Sequence, residues 1–385
     1  MRTKIINAQL AEATAAVKGL IQKDSLNPFS RVRLDAVGPN VSLTGSNGDM
    51  QVEYRVEGET SADGTLVLPG AMFCRFVDAM PTGPIEIDGE AGKKVKISGG
   101  EGVTFRLAAA DTMDYPVMAG PKAGCTAFDI EAFVLKEMLR KVKFAAAADG
   151  SERAHLCGVN VKMKDWKLEM TATDGRQLAH VEKDLQESYT GPNAPHARGD
   201  ARAPREASFD IILANKTVNA LFGLLDDNRG EPVTIKADAK AIRITAASWS
   251  MTSKVVAGAY PAWNNVVPKD ANHTAKIGRT AFLEALGRAA LAAGDNKAVK
   301  MWLKNGAATF EARNDISEAK TMIAKCEIGD EGCWSFLFNP KLLKDALDVI
   351  DDDDFTLSFR EDAGGPILLK CSIPWLAVTM PLRIG

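Results

Sequence analysis

The sequence predicts an α+β fold made of three tandem copies of one two-helix, multi-strand domain, and three observations predict it. A strand–helix–strand pattern returns at Thr65–Asp88, Asp210–Asp238 and Phe336–Phe359. A strand-then-helix unit opens each third of the chain, at Lys4–Ile21, Ala127–Val142 and Ala275–Ala293. The stretch Ser42-Leu-Thr-Gly-Ser-Asn-Gly-Asp-Met also aligns with Glu169-Met-Thr-Ala-Thr-Asp-Gly-Arg-Gln. A pattern that recurs at a domain-sized period means copies of one fold in series.

Each copy opens on a helix with one apolar stripe: Leu10, Ala13, Val17 and Leu20; then Leu135, Met138 and Val142; then Phe282, Leu286, Ala289 and Ala293. The second helix of each copy carries Phe73, Phe76, Val77 and Met80; Val218, Leu221, Phe222 and Leu225; and Leu343, Ala346, Leu347 and Ile350. This i, i+3, i+4, i+7 spacing turns one face of a helix to a core. Strand-like runs precede the second helices at Leu66–Leu68, Ile211–Leu213 and Phe336–Phe338, and follow them at Ile85–Ile87, Val233–Ile235 and Phe355–Leu357. Asn47-Gly48 and Asp174-Gly175 favour tight hairpin turns, because these residue types tolerate positive φ. Tyr115-Pro116 and Tyr260-Pro261 are expected to close a final strand, since proline stops a central ladder.

The copies divide at Gly120-Pro-Lys-Ala-Gly and Pro268-Lys-Asp-Ala-Asn, which gives domains 1–124, 125–268 and 269–385. The stretch from Glu187 to Glu206, without periodicity, reads as an irregular surface loop inside the second copy. The acidic run Asp351–Asp354 reads as a solvated turn, the other reading being a device that keeps DNA off an outer rim.

A chain of 385 residues can bury two or three cores. Its net charge of −3 argues against a protein that coats nucleic acid with its whole surface, though not against one basic face. No apolar run is long enough to span a bilayer as a helix, and the first residues lack a secretory apolar segment, so the expected address is cytoplasmic. The cysteines Cys74, Cys125, Cys157, Cys326, Cys333 and Cys371 are scattered and read as free thiols. His155, His180, His196 and His273 lack metal-ligand spacing, and the Walker, dinucleotide and nucleophile-elbow patterns are missing. The reading is a non-catalytic protein with no cofactor and no metal.

Cations recur on or beside the repeated helices: Lys18 and Lys23, Arg75, Lys216, Arg279 and Arg288, Lys341 and Lys344, and the stripe Lys136, Arg140, Lys143. Each alone reads as a solvated charge; together they suggest a shared positive surface for a phosphate backbone.

The run Thr171-Ala-Thr-Asp-Gly-Arg-Gln-Leu-Ala resembles the middle-domain hairpin of bacterial beta sliding clamps, the processivity subunit of DNA polymerase III. Val378-Thr-Met-Pro-Leu-Arg-Ile resembles their closing strand. Tyr260-Pro-Ala-Trp-Asn-Asn-Val-Val-Pro-Lys and Phe105–Pro116 resemble their interdomain segments. The resemblance implies a head-to-tail homodimer closing a ring around duplex DNA, with helices lining the hole and sheets outside. It implies as partners the polymerase III alpha subunit, the clamp loader and other proteins carrying a short clamp-binding peptide. The implied peptide pocket comprises Leu156, Thr173, Gly175, Arg176, Leu178, Pro261, Val266, Asn339, Leu342, Val378, Met380, Pro381, Leu382 and Arg383; for each residue the other reading is core or edge-strand packing. Lys23, Arg153 and His155 stand where the family touches DNA, and Phe105, Leu291 and Ala292 where it dimerises. Arg176, Gln177, Asn265 and Leu342 depart from the common residues, so the preferred peptide is expected to differ, and the small Ala292 points to a weaker seam. The alternatives are a divergent or mobile-element clamp with its own partners, and a repeat-built protein-binding scaffold.

Overall fold

In the computed structural model the described residues are 1–385 except 25, 101, 186–207, 226–230, 295–297, 324–325, 330–331, 362–364 and 383–385. The expected 187–206 loop and Arg383 therefore lie outside the described residues.

Among the described residues six α-helices form, each where the apolar spacing predicts one: α1 (Asn7–Lys18), α2 (Gly70–Asp78), α3 (Ala132–Lys143), α4 (Asn215–Leu224), α5 (Arg279–Ala290) and α6 (Pro340–Leu347). Their stripes are buried, from Leu10, Ala13 and Val17 on α1 to Leu343, Ala346 and Leu347 on α6. Phe76 and Phe222 are the half-buried members. Contacts divide the described residues into two compact units, one from 1–134 and 219–255, the other from 135–185, 208–218 and 256–382.

In the first unit one antiparallel sheet runs through strands Val103–Ala108, Lys94–Gly99, Pro84–Asp88, Arg2–Ile6, Met50–Ala62, Trp249–Lys254, Ala241–Thr245, Pro232–Ala237 and Thr126–Glu131. Strands Asn40–Ser46, Arg31–Val37 and Gly64–Pro69 branch from it. Helix α1 packs on α2 and on strands Met50–Ala62 and Asn40–Ser46. Gly45 permits this approach, because a Cβ there would stand 2.7 Å from Val17 Cβ.

The second unit holds a sheet in the order Phe209–Ala214, Gly158–Lys164, Lys167–Thr173, Gln177–Asp184, Trp375–Thr379, Ile367–Lys370, Asp354–Phe359, His273–Gly278 and Cys326–Ile328. A smaller sheet runs Glu318–Ile323, Ala307–Arg313, Val299–Lys304 and Cys333–Phe338. Helix α5 lies on the first two strands of the smaller sheet and against α6. Phe282 of α5 meets Phe310 and Phe355 edge-on at 5.0 and 5.1 Å, the favoured aromatic geometry.

Each large sheet joins strands from consecutive copies. Strand Met50–Ala62, which follows the Asn47 turn, pairs with Trp249–Lys254, placing Val52 opposite Met251. Strand Gln177–Asp184, which follows the Asp174 turn, pairs with Trp375–Thr379, placing Leu178 opposite Val378. Because pairing is continuous across these joints, contacts do not thin out at the sequence boundaries.

The turns show why only two hairpins were legible. Asn47 Oδ1 accepts from the backbone N–H of Asp49 and Met50, and Asp174 Oδ1 from those of Arg176 and Gln177. Gly48 and Gly175 follow at φ 90° and 88°. In the third copy Asn314 Oδ1 accepts from Ile316 and Ser317. That loop holds four residues, 314–317, against three in each of the others, and no residue of it has positive φ. The longer loop removes the need for glycine.

The Tyr-Pro pairs do not end strands. The strands stop earlier, at Ala108 and Lys254, and both tyrosines lie in the following linkers. Tyr115 donates its hydroxyl to Thr44 O at 3.1 Å, and Tyr260 accepts from Thr173 N–H at 2.9 Å. The ring anchors the linker to the hairpin; the proline does not terminate a ladder.

Candidate functional site

The joint at Gln177–Asp184 and Trp375–Thr379 builds an apolar floor. Leu178 faces Val378, which faces Leu368 on the next strand. All three are at most 3% exposed, and Trp263, Val267 and Leu376 pack against them half-buried. Strand periodicity explains the row, since cross-strand neighbours share one face. Trp263 also stacks on His180, with ring centroids 3.9 Å apart.

Around this floor the backbone is tightly tied. Thr173 Oγ1 donates to Gln177 O at 2.6 Å and accepts from Gly175 N–H. The Arg176 carbonyl accepts from Met380 N–H at 2.9 Å, and Leu382 N–H donates to Leu337 O at 2.7 Å. These bonds hold Met380, buried Pro381 and half-exposed Leu382 beside the turn. The Arg153 guanidinium approaches Gly175 so closely that a Cβ there would lie 3.1 Å from its Nη1. Gln177 Oε1 and Thr379 Oγ1, on residues paired across the joint, are buried without hydrogen-bond partners among the described residues. A buried acceptor left unpaired costs free energy until a donor reaches it.

Thr173, Gly175, Arg176, Leu178, Val378, Met380, Pro381 and Leu382 are thus gathered at one strand joint. Pro261 and Val266 are exposed in the linker around Trp263, and it is Val267, not Val266, that packs on the floor. Asn339 caps α6, its Oδ1 accepting from Lys341 N–H, and Leu342 is half-buried on that helix. Leu156 is buried at 3% in a short 3₁₀ turn. Sequence reasoning singled out neither Trp263, Val267, Leu368 nor Leu376, which make up much of the apolar floor. Trp263 and Val267 stood in a quoted motif, whereas Leu368 and Leu376 carry no signal beyond strand alternation.

The basic residues separate into two groups. Arg140 donates to Glu137 and, at 2.8 and 2.9 Å, to Asp351. Lys141, which the sequence reading passed over, is buried and donates to Val349 O and Asp351 at 2.8 and 2.7 Å. Lys136 and Lys143 are half-buried, and desolvation, then the charge of Lys136, lowers the pKa of Lys143. Asp351 is a counter-ion, Asp352 accepts from Ser372 N–H, and the carbonyls of Asp352 and Asp353 accept from Arg279. The acidic run is a solvated turn, with Asp351, Asp353 and Asp354 exposed, and Asp351 and Asp352 also tie it to neighbouring cations and backbone. Lys18 pairs with Asp78, Arg288 with Glu284, Lys341 with Asp345 and Lys344 with Asp348. Lys23, Arg75, Arg153 and Lys216 are exposed and make no ion pair among the described residues. His155 is half-buried against Gly258.

Among the strands that end their sheets with one side unpaired are Val103–Ala108 in the first unit and Glu318–Ile323 in the second. Phe105 on the former stacks on Phe76 at 4.2 Å. Near the latter, Leu291, Ile316 and Met322 are 86%, 93% and 64% exposed, while Ala292 is 3% exposed and turned into its own unit.

Among the described residues no helix is long and apolar enough to cross a membrane, and no group of three or more His, Cys, Asp or Glu could hold a metal. The model of the DNA polymerase III beta subunit N-terminal domain matches residues 1–119, and that of its C-terminal domain matches residues 264–373. The chain is 26% identical over 383 residues to the beta sliding clamp of Bacillus subtilis, covering 96% of each. It is 24% identical over 362 residues to that of Staphylococcus aureus, covering 91% of this chain and 90% of the relative. Among solved structures, a DNA polymerase sliding clamp from Pseudomonas aeruginosa superimposes with a TM-score of 0.87 at 25% identity, covering 100% of both chains. The Bacillus subtilis clamp structure gives a TM-score of 0.88 at 24% identity, again over 100% of both chains. With the two matched domains covering more than half of its residues and the likeness running from end to end, this chain belongs to the DNA polymerase III beta subunit family, the bacterial beta sliding clamps.

Proposed function

We propose that two copies of this chain join head to tail into a ring that encircles duplex DNA, and that the joint around Leu178 and Val378 takes a peptide from the polymerase. The chain is a non-catalytic processivity factor that works in the cytoplasm. One observation carries the reading. The fold uses the same joint twice, pairing a strand that follows an Asn or Asp turn with the last strand of the next copy. One strand of each kind is left over: Glu318–Ile323 follows the Asn314 turn, and Val103–Ala108 is the last strand of the first copy. Open edges of this kind are liabilities unless paired. Pairing them between two chains repeats the internal joint and closes with twofold symmetry. Domains 1–124, 125–268 and 269–385 then make six modules around the hole.

A ring holds DNA by topology, so it needs no tight grip. Lys23, Arg75, Arg153 and Lys216, with His155, supply sparse sequence-independent phosphate contacts. The paired Arg140 serves first as a bracket to Asp351, with Lys136 and Lys143 beside it. Dimer contact falls to Phe105 and Leu291, with Ala292 behind them as packing. The pocket accepts apolar anchors from an extended peptide, with Leu156, Pro261, Val266, Asn339 and Leu342 as outer walls and Arg383 as a tail contact. The clamp loader and other proteins bearing such a peptide use the same site.

Two measurements test this. After loading, the protein should stay on nicked circular duplex and slide off the same DNA once linearised; equal loss from both sinks the ring. A peptide from the cognate polymerase should bind more tightly by calorimetry than a common bacterial clamp-binding peptide, because Arg176, Gln177 and Leu342 alter the pocket; equal affinities refute that specificity.

A further inference from the structure

A second recessed site lies wholly within the first unit. A cavity of about 390 Å³ is lined by Pro121, Lys122, Cys125, Lys236, Arg243 and Thr245, with small residues between them. Its three cations converge from different elements: Lys122 from the linker, and Lys236 and Arg243 from neighbouring strands. No carboxylate lines it, and among the described residues none forms a salt bridge with these cations. The Asp238 carboxylate does act on them: it accepts the Lys122 backbone N–H and attracts the Lys122 charge.

Lys236 and Arg243 stand directly opposite each other across the strand pair Pro232–Ala237 and Ala241–Thr245. Like charges in that position repel and weaken a sheet unless something neutralises them. The arrangement is nevertheless built. Arg243 Nε donates to buried Thr252 Oγ1 at 2.9 Å, which aims the guanidinium. Gly120 leaves the room it occupies, since a Cβ there would lie 3.0 Å from Arg243 Cζ. The linker is pinned beside it, Lys122 N–H donating to Asp238 Oδ2 at 2.8 Å and Cys125 N–H to Lys122 O. Gly124, at φ 81°, lets the chain turn back over the cavity.

We propose that this cavity binds a small phosphoryl-bearing anion, a pyrophosphate or polyphosphate group seated between Arg243, Lys236 and Lys122. The guanidinium fork suits two phosphoryl oxygens, and two ammonium groups balance the remaining charge. The volume falls within the range of small-ligand sites. No aromatic side chain lines it, so a nucleobase has nothing to stack on, and the cations form a closed cluster and not a track for a strand. The inference is independent of ring closure and of the peptide pocket.

The test uses the full-length protein with pyrophosphate as probe, by calorimetry and thermal melting at constant ionic strength. Pyrophosphate should bind at one site per chain and raise Tm. Lys236→Gln and Arg243→Gln should each weaken it at least about tenfold. Lys236→Gln should also melt higher than the parent when no anion is present, because the cross-strand repulsion is gone, a gain that damaged folding cannot mimic. Absence of pyrophosphate binding, or an unchanged affinity in both variants, overturns the site. Equal binding of tricarballylate overturns the phosphoryl assignment. Displacement of pyrophosphate by a ten-residue oligothymidylate at lower concentration assigns the site to a nucleic-acid strand and overturns the small-anion reading.

Discussion

His180 shows how a single residue records the joint around it. It is 2% exposed, stacked on Trp263, and its Nδ1 lies 2.9 Å from Thr171 Oγ1. Burial lowers its pKa below the ordinary histidine value, outweighing the opposite pull of Glu169 and Glu182, and Lys167 lowers it further. The Nε2 atom is 3.7 Å from Glu182, too far for a hydrogen bond, and has no partner among the described residues. The folded chain therefore keeps this ring neutral where the unfolded chain accepts a proton, below about pH 6.5. Unfolded molecules bind more protons there, so stability falls as pH drops through that window. Chemical denaturation at pH 7.5 and pH 5.5 should show the loss, and His180→Phe, which can still stack on Trp263, should flatten it. An identical pH profile in the variant refutes the assignment. Of this residue the sequence supplied only the absence of metal spacing; its neighbours come from a linker and an adjacent strand.

Among the elements, the hairpins connect sequence to site most directly. Gly175 combines a φ of 88° with the close approach of Arg153. Gly175→Ala should therefore cost about 1–2 kcal/mol in denaturant melts and displace Arg153 from its place beside the turn. Gly223, on α4 with open space around it, is the control, and alanine there should be neutral or slightly stabilising. Equal effects at both positions contradict the argument. These helices and turns were legible because their signals are local: a spacing of three and four residues, or a side chain capping its own loop. The Asn314 turn escaped because its extra residue removed the glycine that marks the others. The Tyr-Pro pairs were found but misread, since what matters there is a hydroxyl reaching a hairpin far away in sequence.

For the whole molecule, the proposed assembly rests on the unpaired edges. Leu291 is 86% exposed and contributes little to its own unit. Leu291→Asp should leave Tm almost unchanged while shifting sedimentation from dimer to monomer, because a charge at an apolar seam is desolvated without a partner. A dimer that persists at nanomolar concentration in this variant counts against that seam. The buried Ala292 moves the question of seam strength away from that position and onto Leu291 and the strand edges.

By itself the sequence determined the threefold repeat, all six helices, the apolar faces and the family resemblance, since each is written in local spacing or contiguous motifs. Only the tertiary structure decided which strands of successive copies pair and which edges remain open. It alone showed that Trp263, Leu368 and Leu376 pack with Leu178 and Val378 at the strand joint, that Asp351 claims Arg140 and Lys141, and that Lys236 faces Arg243. Those facts depend on strand register and on side chains brought together from distant positions, and one residue of slip would turn every side chain to the other face.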